Sequence, residues 1–435
     1  AHEGTYYIYA VVEATGNYAD LFTDYVTLTA KSASDSHKHC LYGHNNCTAE
    51  APLTYNGFPR ASLSPDGSQD QRSYYLNAQR STVNLELILR PLSGSSSENP
   101  SLDLCLYGKT LRVDGDYPAQ FRVSNKWHLT LTDCIGTGVL KGNSVDDEYG
   151  GCLYVADATA DIYNIKVTGG SSSKLGGAIV VGDKGVLNIK GGEISGNTVT
   201  GGSGGAIYIK SGGIVNIHGG TIKNNHVYSG NGGAIYVAAG GTLNLCGGTI
   251  TGNTASGLGG GIYVEKGGTL NIQGAPVVTG NTAGGKDSNV YLAGNNQQLS
   301  AVNMTAGAKI GISVEADLYP ARFALSPTDT SAYFIPDTKG LSVMHLKVGL
   351  LCLVAKPTAT LDDNTLTVTT GDYPDDAVLF VAEYDDSGRM TAVHVQNVPS
   401  DAPSYTFTVS SSSIKCFLLR VTSYTPVLAP FSPPA

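Results

Sequence analysis

A repeat of about 28 residues fills the middle of the chain and limits its folds more than any other feature. Set beneath one another, the copies read GGAIVVGDKGVLNIKGGEISGNT from Gly176 and GGAIYIKSGGIVNIHGGTIKNNH from Gly204. Two more follow, GGAIYVAAGGTLNLCGGTITGNT from Gly232 and GGIYVEKGGTLNIQGAPVVTGNT from Gly260. Ile179, Ile207, Ile235 and Ile262 are therefore spaced by 28, 28 and 27 residues. Outside this block the pattern decays but persists, as GGCLYVADATADIYNIKVTGG before it and SNVYLAGNNQQLSAVNM after it.

Each copy holds three short apolar stretches, at 234–237, 242–245 and 248–251 in the third, each closed by Gly or Asn. Their alternation has period two, which selects strand over helix. No single copy can bury its own apolar face. Coiling each copy into one turn and stacking the turns solves that, because every strand then pairs with its counterparts about 4.8 Å away. The expected fold is all-β: a right-handed parallel β-helix with three short strands per turn and about seven turns. A propeller blade of four antiparallel strands needs about 40 residues.

Stacking assigns side chains to columns. Leu187, Val215, Leu243 and Leu270 form one inward column, and Ile189, Ile217, Leu245 and Ile272 another; Asn188, Asn216, Asn244 and Asn271 keep the same spacing on the alternate face. Asn197, Asn225, Asn253 and Asn281 recur at a turn, where inward amides can bond from turn to turn as a structural ladder. Tyr208, Tyr236, Tyr263 and Tyr291 make an outward aromatic column that can stack on itself or on sugar rings, or pack against a capping loop or a neighbouring subunit.

The GGAI motifs at Gly176, Gly204 and Gly232 resemble the repeats of the polymorphic outer membrane proteins and related β-helical bacterial surface proteins. That family pairs GGAI with an aromatic-x-x-Asn motif; the matching segments here are ISGN, IKNN, ITGN and VTGN. The resemblance covers roughly residues 83–315 and implies a secreted or surface-displayed adhesive or structural protein. No C-terminal β-barrel translocator is evident, which argues against an autotransporter.

The remaining chain divides into an N-terminal β segment and cap with a His/Cys loop (1–80), the β-helix (81–315), a connecting segment (316–355) and a C-terminal β-sandwich with a Pro-rich tail (356–435). The C-terminal strands, around AVLFVAEYDDSGRMTAVHVQNV, resemble modules near the C-termini of surface proteins of gut-type Gram-positive bacteria. Near the start, Tyr6, Tyr7, Ile8, Tyr9 and Val11 belong to a strand apolar on both faces. Such a strand pairs within its own chain or is donated to a second copy, so a homopolymeric filament is one expectation.

Charge narrows the partners. Charged residues make up 14% of the chain and the net charge is −9, which argues against nucleic acid and anionic membrane. No apolar run reaches the roughly 20 residues that span a bilayer. The start at Ala1, without Met or a basic-then-apolar leader, fits a processed secreted chain. Partners are then other copies of the chain or environmental glycans.

Candidate chemistry is sparse. His37, His39, Cys40, His44 and Cys47 lie within eleven residues, which suits a Cys40–Cys47 disulfide, a structural zinc or a free loop. Cys105 and Cys416 lie in strand patterns, where a buried thiol is the simple reading. A polysaccharide lyase or hydrolase needs facing carboxylates, or an acid beside a basic residue. Asp157 and Asp183 fall in one column, but the next positions are Ser211 and Ala239. No catalytic residue is assigned, and no cofactor beyond the zinc alternative is expected.

Overall fold

The computed structural model describes the backbone of strands Gly4–Ile8, Val26–Ala30, Gln71–Tyr75, Thr82–Asn84 and Ile88–Leu89. It also describes residues 101–434, apart from 107, 113–120, 134, 147, 295–298, 316–320, 347–348, 371–376, 399–403, 412 and 421–429. Between residues 103 and 336 the chain winds as a parallel β-solenoid of about eight turns.

One turn shows the construction. Ile235–Val237, Thr242–Leu245 and Thr249–Thr251 form three faces, and a two-residue strand, Thr254–Ala255, completes the circuit. This fourth strand is absent from the three-strand expectation, because two residues are too few to leave a periodic signal. Registers follow the sequence repeat: Ile207 pairs with Ile235 and Ile235 with Ile262, while Asn216 pairs with Asn244 and Asn244 with Asn271. The inward columns are sealed, with Leu187, Val215, Leu243 and Leu270 all fully buried.

Each glycine of the GGAI pair has its own reason. The first takes a left-handed conformation, with φ of +55° at Gly176, +75° at Gly204 and +68° at Gly232, where a side chain is strained. The second is required by close approach. A Cβ on Gly205 would lie 2.1 Å from the Gly233 carbonyl oxygen, and one on Gly233 would lie 2.2 Å from that of Gly260.

The ends depart from the expected boundaries. Gln71–Tyr75 already pairs in parallel with Ser101–Cys105, so solenoid pairing begins before residue 81. Within the segment 316–355, expected as a connector, the first described strands continue the parallel pairing. Ala321–Leu325 joins one parallel sheet and Phe334–Pro336 another. The hairpin Leu341–Leu346 and Leu350–Ala355 then adds to Ala321–Leu325 in antiparallel fashion. Alternation explains how this hairpin serves two cores: Leu351 and Leu353 pack into the solenoid, whereas Cys352 and Val354 pack into the C-terminal module.

That module comprises two three-stranded antiparallel sheets. One contains Thr358–Asp362, Thr365–Thr369 and Ser404–Thr408; the other contains Met390–Val398, Ala377–Tyr384 and Ser413–Arg420. Leu366, Val368, Leu379, Val381 and Leu418 fill the space between them. At the chain start, Gly4–Ile8 pairs antiparallel with Val26–Ala30.

Candidate functional site: the outer faces of the solenoid

The tyrosine column is a true stack. Ring centroids of Tyr208 and Tyr236 lie 4.8 Å apart, Tyr236 and Tyr263 5.1 Å, and Tyr263 and Tyr291 5.7 Å, with interplanar angles of 8°, 16° and 3°. Their spacing is set by the pairing of the turns beneath them. In consequence the faces of the two middle rings are occupied by their neighbours. Ring edges and hydroxyls, not faces, meet solvent, so the column offers no run of open platforms for sugar rings. Burial, reinforced by the charge of Glu265, raises the phenol pKa of Tyr236, and the same causes raise those of Tyr208 and Tyr263.

In register, this column continues through Val180 to Tyr154. There a loop braces it: Tyr149 meets Tyr154 edge-on at 4.9 Å, the Arg122 guanidinium lies 4.0 Å from the Tyr149 ring centre, and Glu148 pairs with Lys210 at 3.1 Å.

The outward asparagines form a directional ladder. Asn271 donates to Asn244, Asn244 to Asn216 and Asn216 to Asn188, each from Nδ2 to Oδ1 at 2.7 Å. Asn188 then donates to Asp161 Oδ1 at 2.6 Å. The second carboxylate oxygen takes the Lys190 ammonium at 2.9 Å and faces His128 Nε2 at 3.5 Å, a distance at which charge rather than a strong hydrogen bond acts. Lys190 also donates to the Tyr163 hydroxyl at 2.5 Å. Burial opposes ionisation of Asp161, but His128, Asn188 and Lys190 outweigh it and hold the carboxyl well below its usual range. The same contacts raise the pKa of His128 and, against burial, that of Lys190. An ammonium held this firmly is a poor general base.

The buried ladder runs the other way. Asn197 donates from Nδ2 to Asn225 at 2.9 Å, Asn225 to Asn253 at 2.9 Å, and Asn253 to Asn281 at 2.8 Å. Asn281 passes to Asn289 at 3.0 Å, and Asn289 gives its side-chain and backbone N–H to Asp337 at 2.6 and 2.7 Å. Ser313 Oγ supplies a third donor to Asp337 at 2.9 Å. All these donors are uncharged, so burial prevails and raises the pKa of Asp337. Gly311 is required here, because a Cβ would lie 2.3 Å from Asn289 Nδ2 and 2.5 Å from Asp337 Oδ1.

The structure places Asp157 and Asp183 at successive exposed corners, where the Asp157 N–H donates to the Asp183 carbonyl at 2.8 Å. Their stacking is thus a backbone feature of the turn. Tyr6, Tyr7 and Ile8 lie in the strand paired with Val26–Ala30 of the same chain; Tyr9 and Val11 lie outside the described residues, as do His37, His39, Cys40, His44 and Cys47. Cys105 and Cys416 are buried, and burial pushes the Cys416 thiol up to about 11.

Sequence reasoning did not single out His128, Tyr163 or Lys190. The signal was one turn away: Asp161 aligns with Asn188, and Tyr163 stands 27 residues before Lys190. Extending both columns toward the N-terminus would have brought them together. No protein-family model and no curated protein matches the chain.

Proposed function

We propose that the chain is a non-enzymatic structural or adhesive rod, secreted or displayed at a cell surface, with other copies of itself or extracellular glycans as partners. One observation carries this reading. Along the described turns, outward groups are spent on one another: tyrosine faces on tyrosine faces, amides on amides, and both oxygens of Asp161 on neighbouring donors. Such a surface favours stiffness and repetition, and weak contacts repeated along it sum to firm attachment. The resemblance of the GGAI repeats to bacterial surface proteins supports the same conclusion. A structural zinc or a disulfide in the 37–47 loop would serve stability, and zinc analysis with non-reducing mass measurement distinguishes them.

Electron microscopy of the native protein tests the reading. Filaments with a regular axial repeat, abolished by deleting residues 1–13, would show self-assembly through the terminal strand. Single short particles would leave attachment to glycans as the role.

A second reading, a polysaccharide-acting enzyme, draws on the grouping of Asp161, His128, Lys190 and Tyr163. It predicts depolymerisation of an acidic polysaccharide that Lys190→Ala abolishes. That outcome would overturn the non-enzymatic reading.

A further inference from the structure

The C-terminal sandwich has four sheet edges, and they are finished differently. Thr358–Asp362 presents Thr358, Thr360 and Asp362 to solvent, and Ser404–Thr408 presents Ser404, Thr406 and Thr408. The exposed side chains of these edges are polar and offer a partner no apolar surface to bury. On the other sheet, Ser413–Arg420 is bridged at one point by the chain's own tail. Cys416 and Phe431 exchange two backbone hydrogen bonds, of 2.7 and 3.1 Å. The fourth edge is Met390–Val398, nine residues long and hydrogen-bonded on one side to Ala377–Tyr384. Among the described residues no strand pairs with its other side.

This edge has one of the usual protections, a β-bulge at Thr391 between the pairs Ala392–Glu383 and Met390–Tyr384, and its remaining length has none. It contains no Pro, Lys, Arg, Asp or Glu. Its only ionisable side chain, His394, is turned toward Glu383, with Nε2 2.7 Å from Oε1. Met390, Val393 and Val395 are 56, 43 and 58% exposed, and they are three of the eight large apolar side chains exposed among the described residues. Register places Val395 beside the half-buried Phe380, where the apolar surface continues from the edge onto the sheet, and Val393 beside the buried Ala382.

We infer that Met390–Val398 is a self-association edge, at which a second copy of this chain adds its own Met390–Val398 in antiparallel orientation. The strand is suited to itself. A two-fold axis through His394 sets Val393 of one copy opposite Val395 of the other, within the regular stretch that follows the bulge. The centre of the exposed row thus presents the same two valines from either end, as an isologous contact requires. No charged side chain on that row meets a like charge, and the row Val395, Phe380 and Phe417 carries apolar side chains across each sheet. The resulting six-stranded sheet follows the general chemistry of strand addition. It rests on the proposed role as a self-associating structural protein and names a surface for it, separate from the N-terminal strand.

Sedimentation velocity on the full chain, over a wide concentration range, tests this. The wild type is expected at the mass of two chains, and Val395→Lys at that of one, with the same far-ultraviolet circular dichroism and melting temperature. Thr360→Lys, on the polar sheet, is expected to remain dimeric. A wild type that stays monomeric, or a Val395→Lys variant that still dimerises, overturns the inference. So does a monomer whose amides in 390–398 exchange as slowly as those of 377–384, because its own chain would then cover the edge. Failure here leaves the rod reading intact, since filaments abolished by deleting residues 1–13 depend on a different strand.

Discussion

The inner and outer asparagine columns use the same side chain at nearly the same spacing, yet they bear different loads. Inner amides are fully buried, and each bonds both the next asparagine and main-chain carbonyls: Asn253 Nδ2 reaches Asn281, Ile222 and Thr251. Outer amides are half-exposed, with one amide–amide bond per rung. The ladders also point in opposite directions, and each ends on an aspartate at its acceptor end. Asp161, beside Lys190 and His128, is driven toward ionisation; Asp337, among neutral donors, is driven away from it. One side chain therefore acts as framework inside and as surface finish outside, and the environment decides which.

The largest effect should come from cutting the inner ladder. Asn253→Ala strands the Asn225 donors and two buried carbonyls, at a cost of about 3–5 kcal/mol. Because neighbouring repeats are coupled, the loss should spread to adjacent turns in hydrogen exchange as well as lower the denaturant midpoint. Gly311→Ala, which pushes Asn289 and Asp337 apart, should cost about 1–3 kcal/mol in the same assay. Removing a middle ring by Tyr236→Ala should cost about 1–2 kcal/mol, and Tyr236→Phe, which keeps the stack, less. Asn244→Ala, the outer counterpart of the first cut, should cost only about 0.5–1 kcal/mol. Equal losses at Asn253 and Asn244 would break the comparison.

Titration sharpens the contrast between the two ends. The folded pKa of Asp161 is depressed, so its contribution is present above the unfolded value of about 3.9 and is lost as pH falls toward the folded value. The deficit of Asp161→Asn should therefore be largest near neutrality and shrink in acid. The folded pKa of Asp337 is raised, so stability declines as pH rises from about 3.9 through the folded value. The deficit of Asp337→Asn should instead grow as pH falls. Denaturant midpoints of both variants across the acid range check the two opposite slopes.

The middle of the molecule was legible because it repeats. Ile235, Leu243 and Asn253 could be assigned to inside or outside by period and column alone, and their burial agrees. The ladder termini were hidden because they break the period. Asn289 follows Asn281 by 8 residues, and Asp337 lies 48 residues beyond Asn289. The shared hairpin was hidden for a related reason: LLCLVA is apolar on both faces, which states that both are buried but not against what.

By itself the sequence determined that the chain coils, at what repeat, and which side chains line the interior, because period-two strands at a fixed interval can bury their apolar faces only by stacking. Tertiary structure alone decided the rest. It turned the tyrosines' faces toward one another by fixing the turn spacing. It brought Asp337 onto the end of a ladder that begins at Asn197, and it left one edge of the terminal sandwich apolar while the tail bridged another. Each of these is a meeting of residues at unequal separations, set by where the chain returns in space.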